Sequence, residues 1–354
     1  MATGRPTVSV VIPALNEEKW IGGCLDSILS NDYPLGLLEI LVVDGCSEDR
    51  TRQIVDNYAS QYPFIRLLKN VRRIIPSALN IGIREAQGEI IVRMDAHTTY
   101  ATDYIRQAVH ALESNGATMV GAMQRPVGDT AVTRAVAAAT SSPFGVGNSY
   151  YHYGDESRWV EDSVYLGVWR RKTLAELGGF NETWLINEDS QLNERLRNAG
   201  GRIFLSADLH CSYHVRSTLT ALARQYFRYG MWRAKTSVMH PASVGWRQLV
   251  PPAFVASLLL SLAFIRISPV LASVTFGIYV LTNLIVSARI IARQGWSCFL
   301  VPVAFSSIHF SWGGGFLLGL ARFCMQRRQA PTETTQATSD SDSQGARSSF
   351  GSPA

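Results

Sequence analysis

From residue 7 to about residue 125, apolar positions alternate between two periods. "TVSVVIPAL" (7–15), "LLEILVVDG" (37–45), "FIRLLKN" (64–70), "EIIVRM" (89–94) and "ATMVGAMQ" (117–124) are short, nearly continuous apolar runs rich in Val, Ile and Leu. Between them, "EEKWIGGCLDSIL", "EDRTRQIVDNYASQY", "PSALNIGIREAQ" and "TDYIRQAVHALESNG" carry apolar residues at helical spacing, with Pro76 suited to a first turn. Strand runs apolar on both sides, separated by helices, predict an α/β fold: a mostly parallel, Rossmann-like sheet with helices on both faces. In such sheets ligands bind beyond the carboxyl ends of the strands, near the point where strand order reverses. Three polar clusters fall at those ends: "PALNEE", "DGCSED" and "DAH".

The pattern changes near residue 246. Segments 249–265, 269–286 and 298–320 are apolar runs of 17 to 23 residues without a charged side chain, close to the ~20 residues that span a bilayer. The chain therefore divides into a domain over 1–245 ending in a basic interfacial stretch, a membrane region over 246–325, and a polar, low-complexity tail over 326–354 expected to be disordered. Three spans place Arg322, Arg327 and Arg328 on the far side from the first domain, against the positive-inside rule. Either one segment is interfacial or re-entrant, with Pro251–Pro252 and "WGGGF" (312–316) as suspects, or the rule fails here.

Charge and cysteine usage narrow the class. No Asp or Glu occurs between Asp208 and Glu333, while Arg and Lys recur there. This basic stretch leads into apolar segments, which favours a membrane or a phosphate-bearing substrate over nucleic acid. The five cysteines show no CxxC spacing, and the N-terminus lacks a signal-peptide pattern, so the expectation is a first domain facing the cytoplasm at the inner (plasma) membrane. There is no GxxxxGK[ST], and no GxGxxG follows the first strand, so a P-loop is excluded and a dinucleotide oxidoreductase poorly supported.

The strand ends instead carry carboxylates: Asp44, Asp49 and Asp95. Residues two apart on an extended segment point the same way, so Asp95 and His97 are placed to clasp one ion; the alternative is a polar turn. Glu188 and Asp189 open "NEDSQLNERLRNAG", which reads as a helix whose acidic first turn suits the helix dipole.

"PALNEE", "VVDGCSEDRT", "ALNIGIREAQGEIIVRMDAH" and "GGFNETWLINEDSQLNERLRNAGGRI", in that order, resemble the inverting glycosyltransferases of family 2, which have a GT-A fold. "SVYLGVWRRKTLAELGGFNE" and "YHVRSTLTALARQYFRYG" are similar to the membrane-associated glucosyltransferases of succinoglycan-type exopolysaccharide synthesis. The resemblance implies that Pro13, Ala14, Asn16 and Glu17 line a nucleotide pocket, that Asp44 holds the uracil or ribose, and that Asp95 opens the motif binding a divalent cation and the diphosphate. His97 stands where the family has its second Asp. It either ligates the metal, favouring manganese over magnesium, or only orients the diphosphate. The resemblance makes Asp189 the general base, with Glu188 beside it, and His214 a further metal ligand. Gln225-x-x-Arg228-Tyr229 is similar to the Gln-x-x-Arg-Trp motif of processive relatives, near acceptor and diphosphate; an amphipathic interfacial helix is the alternative. The implied function is inverting transfer of a sugar, glucose from UDP-glucose, to a lipid-linked (polyprenyl diphosphate) saccharide. Processive synthesis of a polysaccharide and a catalytically silent binding component are the rival functions.

Overall fold

The computed structural model describes residues 4–161, 164–239, 245–264, 266 and 269–329. Most of the tail expected from residue 326 lies outside the described residues. Nine strands form one sheet: β1 (Val8–Ala14), β2 (Leu38–Asp44), β3 (Ile65–Lys69), β4 (Ile90–Arg93), β5 (Thr98–Tyr100), β6 (Met119–Val127), β7 (Arg158–Val160), β8 (Tyr165–Arg170) and β9 (Ile203–His214). Their order is β3-β2-β1-β4-β8-β6-β9-β5, with β7 also pairing with β9. β1 pairs in parallel with both β2 and β4, so the order reverses there and the ends of all three strands face one crevice. The fifth run, β6, is not the direct neighbour of β4. The antiparallel β8 lies between them and pairs with both.

Side chains alternate across the strands, and each parity is buried, which is why the runs read as continuous. Val10, Ile12, Ile40 and Val42 pack with Ile21 and Leu25 of α1 (Ile21–Leu29), Val55 of α2 (Thr51–Gln61) and Tyr104 of α4 (Tyr104–Ser114). Val11, Leu41, Val43 and Ile91 pack on the opposite face with Leu79 of α3 (Ile75–Glu85), Leu174 of α7 (Arg171–Glu176) and Leu192 of α8 (Glu188–Asn198). Each such side chain taken from water contributes roughly 1.5–3 kcal/mol.

A third cluster joins the C-terminal helices to this domain. Val136 and Ala139 of α5 (Ala131–Thr140), Leu222 and Tyr226 of α9 (Leu219–Met239), and Phe305 and Ile308 of α12 (Val301–Gln329) are buried together. Glycines set the spacing. A Cβ on Gly230 of α9 would lie 2.1 Å from the Trp312 carbonyl oxygen, and one on Gly315 of α12 would lie 2.1 Å from that of Phe227. "WGGGF" therefore lies inside an unbroken helix, where small residues let two backbones touch. Pro251 and Pro252 occupy the first turn of α10 (Val250–Ala263), where proline costs no hydrogen bond.

Three helical stretches are long and apolar enough to cross a membrane: Trp246–Ala263, Ala272–Gln294 and Trp296–Met325. They differ in burial. Only 11% of each of the first two is buried, against 44% of the third. α10 and α11 (Pro269–Gln294) turn Leu259, Leu260, Ile278 and Leu281 outward, whereas α12 is docked on α9.

Candidate active site

The loops after β1 and β2 are fastened to one another. Both Asp44 carboxylate oxygens accept the Ser47 amide (3.2 and 3.1 Å), and the Arg52 guanidinium lies 3.7 Å away. Asn16 takes a left-handed conformation (φ 55°), which asparagine tolerates better than most residues. Its amide donates to Ser47 Oγ (2.8 Å) and its Oδ1 accepts the Glu48 amide (2.9 Å). The Glu17 amide donates to Thr51 Oγ1 at 2.7 Å. Pro13, Ala14, Asn16, Glu17 and Asp44 thus gather at the ends of β1 and β2, with Asp44 and Asn16 already holding loop backbone.

Asp95 follows β4 in a tight turn. Its amide donates to the Tyr100 hydroxyl oxygen (2.6 Å), and the Thr98 amide donates back to its carbonyl (3.1 Å). That turn leads into β5, so the polar tip seen in the sequence is a strand connection. Register then brings the end of β9 alongside: the His214 amide donates to the His97 carbonyl oxygen (3.2 Å). His97 Nδ1 lies 3.3 Å from Glu17 Oε1. The His214 ring instead stacks on Trp20, centroids 4.2 Å apart. Among the described residues no group of three or more His, Cys, Asp or Glu is gathered to hold a metal ion. Asp95, His97 and His214 are therefore not gathered into a ready-made cage among the described residues.

The residue that organises the centre is Arg93, the last residue of β4 and two positions before Asp95. Its Nε donates to Asp95 Oδ1 (3.0 Å) and its Nη1 to Glu188 Oε1 (3.2 Å). Burial alone would lower the guanidinium, but Asp95, then Glu188 and Asp189, hold it well above its ordinary value. Burial, then the Asp189 carboxylate, push Glu188 up to about 7, against the pull of Arg93. Burial raises Asp189 as well, with Arg93 and the Ser190 amide, which donates to Oδ1 at 2.7 Å, pulling the other way. Asn187 precedes them in a left-handed conformation (φ 62°) and turns the chain so that both carboxylates open α8, where the helix dipole favours negative charge.

Arg93, Asp95, His97, Glu188 and Asp189 line one end of a cavity of about 720 Å³. It continues past Gln225 and Tyr229 to α10, α11 and α12. Gln225 Nε2 donates to the Tyr229 hydroxyl at 2.8 Å. Arg228 is exposed and does not line the cavity; positions 225, 229 and 233 share one face of α9, and the residue on that face is Arg233. Sequence reasoning missed Arg93, whose i, i+2 spacing to Asp95 was available, and Arg216; Arg233 and Arg247 stood out only as members of the basic stretch, and all three of these later arginines line the cavity.

Residues 9–168 match the sequence model for glycosyl transferase family 2. The succinoglycan biosynthesis protein ExoA of Rhizobium meliloti is 31% identical over 324 residues, covering 89% of this chain and 95% of that protein. A dolichyl N-acetyl-alpha-D-glucosaminyl phosphate 3-beta-D-2,3-diacetamido-2,3-dideoxy-beta-D-glucuronosyltransferase of Methanococcus voltae is 24% identical, covering 89% of this chain and 97% of its own. Among solved structures, the mannosyltransferase PcManGT of Pyrobaculum calidifontis, in complex with GDP-Man and Mn2+, superposes with a TM-score of 0.56 at 22% identity, over 92% of this chain and 89% of that one. This likeness shows the fold.

Proposed function

The chain belongs to glycosyl transferase family 2, and from that premise we propose that it is a membrane-anchored inverting enzyme moving a hexose from a sugar nucleotide to a lipid-linked saccharide. The observation that carries the reading is the convergence of Asp95, Glu188 and Asp189 on Arg93 at one end of a single cavity. Donor nucleotide lies over the ends of β1 and β2, and acceptor enters from the side of Gln225 and Tyr229. Asp189 takes the proton of the acceptor hydroxyl as it attacks the anomeric carbon; such help is typically worth about 10²–10⁴ in rate. A base with a raised pKa is better matched to that proton near neutral pH. Glu188, held by Arg93, keeps its neighbour oriented. One base and one direct displacement invert the anomeric centre.

Asp95 and His97 would hold a divalent cation. They fit one that draws most of its shell from the donor's own phosphates, since magnesium-type sites on nucleotides use one or two protein ligands rather than a cage. An imidazole beside a carboxylate suits manganese better than magnesium. When bound, the cation neutralises charge on the departing nucleotide diphosphate.

The difference in burial supports two crossings, by Trp246–Ala263 and Ala272–Gln294, with α12 returning to lie against the domain. Arg322 then stays on the domain's side, in keeping with a cytoplasmic face at the inner membrane. The test is nucleotide release by the purified full chain from UDP- and GDP-sugars, with manganese, magnesium or EDTA. UDP-glucose with manganese is the combination expected to turn over. Binding of nucleotide without turnover on any donor and a lipid-linked acceptor extract would reject the transferase reading.

A further inference from the structure

A separate cavity, of about 430 Å³, opens where the domain meets the end of α11, and none of the carboxylates of the candidate active site lines it. One wall is α5, whose Arg134, Ala137 and Ala138, with Ser141 just past its end, share one helix face. The alanines leave room between a guanidinium and a hydroxyl. The other wall carries Gln294, the last residue of α11, and Ser297 in the turn that follows. The Cys298 thiol donates to Gln294 Oε1 (3.6 Å), which leaves the Gln294 amide NH2 for the cleft. Among the described residues, the Arg134 guanidinium and the hydroxyls of Ser141 and Ser297 have no hydrogen-bond or ion-pair partner. No acid lines the cleft. Asp129, close in sequence, accepts a bond from Thr133 Oγ1 (3.3 Å). Arg289 and Arg293 are exposed one turn apart on α11, and no Asp or Glu occurs from 209 to 332 to offset them.

The cleft sits at a defined height. Trp296, beside it, is 82% exposed, and an exposed indole at the end of an apolar helix belongs at headgroup level. Back along α11, Ile285, Leu284 and Leu281 are exposed, roughly 14–20 Å from Gln294 at 1.5 Å per residue, a depth that falls in the hydrocarbon core. Free donors at headgroup height with apolar surface below them match one kind of molecule. We propose that the cleft binds the phosphate of an anionic glycerophospholipid in the leaflet next to the domain, with the acyl chains lying on the outer face of α11. Arg134 supplies charge-assisted bonds to the phosphate oxygens, and Ser141, Ser297 and the Gln294 amide complete the set of donors. Arg289 and Arg293 add positive potential, which favours a headgroup of net negative charge over a zwitterion. The lipid is a fixed partner and not a substrate, since the cleft holds no base. Bound there, it ties α5 of the domain to the end of a membrane helix. The proposal rests on the membrane-anchored part of the reading above and not on the transfer chemistry.

The test is native mass spectrometry of the delipidated full chain in detergent, titrated with dioleoyl phosphatidylglycerol or dioleoyl phosphatidylcholine. One saturating phosphatidylglycerol adduct is expected, about fivefold or more tighter than phosphatidylcholine. Arg134→Gln should weaken it by about fivefold or more, and Arg134→Lys should keep most of the affinity. Arg224→Gln, exposed on α9 and outside the cleft, is expected to bind as wild type. Equal affinity for the two lipids, adducts that accumulate without saturation, or unchanged binding by Arg134→Gln would each overturn the proposal. So would competition by glycerophosphoglycerol, the headgroup without acyl chains, as effective as that by the lipid, because it would mark a site for soluble phosphates. Should Arg134→Gln fail to fold, Gln294→Glu, which places an acid in the cleft, must weaken the phosphatidylglycerol adduct or the proposal fails. Alkaline carbonate washing of membranes reports separately. A chain released by the wash would sink the membrane-anchored reading, whereas a retained chain without preference for phosphatidylglycerol would sink only this one.

Discussion

The two ends of the cavity are built on different foundations. The carboxylate end stands on β4 and the first turn of α8, with Arg93 bonded to acids from both and the sheet packed on either side. The basic end stands on α9 and the segment before α10, and it reaches the cavity because glycines let α12 lie against α9 at backbone distance. The first end is fixed by the domain's own fold. The second depends on how a membrane-suited helix docks. In the proposed reading, proton transfer, which needs close placement, falls on the end that the sheet fixes.

Substitutions can separate these ends. Asp189→Asn removes the base and keeps its shape, so kcat should fall by about 10²–10⁴ while nucleotide binding, read by calorimetry, is preserved. Arg93→Met leaves buried carboxylates without their cation, which costs about 3–5 kcal/mol of stability and a clear drop in Tm. Its pH signature is more diagnostic. A carboxylate base works only when ionised, so activity falls on the acid side as pH drops through its pKa. Arg93 holds Glu188 and Asp189 down, so its loss moves that acid limb to higher pH. An unmoved limb in Arg93→Met would mean that the pair does not set it.

Gly315→Leu acts at the other end. Its side chain would collide with the Phe227 backbone, forcing α9 and α12 apart at about 1–3 kcal/mol. Acceptor KM should rise with little change in donor hydrolysis, which separate acceptor and water rates would reveal. The smallest effect is expected from Arg228→Gln, within about twofold on kcat/KM, since that side chain is exposed beside, not in, the cavity.

Much of the carboxylate end was legible in the chain. Continuous Val and Ile runs required a sheet buried on both faces, and polar clusters at its strand ends marked the crevice. Asp95 stood out because a charged group ends an apolar run there, whereas Glu188 and Asp189 read from pattern only as an acidic first helical turn, and it was the resemblance that made Asp189 a base. Arg93 was hidden because one basic residue at the end of a strand run looks like an edge into solvent; only β8 and α8, distant in sequence, bury it. His214 was a candidate ligand only through the resemblance; its ring stacks on Trp20. Arg228 looked relevant through a short motif, but helix phase turns it outward and presents Arg233. "WGGGF" was a suspect for an interfacial or re-entrant segment; it lies within α12, where against α9 the absence of Cβ permits contact. The antiparallel β8 was missed because strand direction is a tertiary property that a run of apolar residues does not carry.

The proposed reaction is a single direct displacement at the carboxylate end, with Asp189 as base. Its most direct test is the anomeric configuration of the first product, read from the anomeric proton by NMR after one transfer from an α-linked donor. A β-linkage is predicted. An α-linkage would require a second displacement or a front-face path, and would contradict the assignment of Asp189 as the base of an inverting transfer.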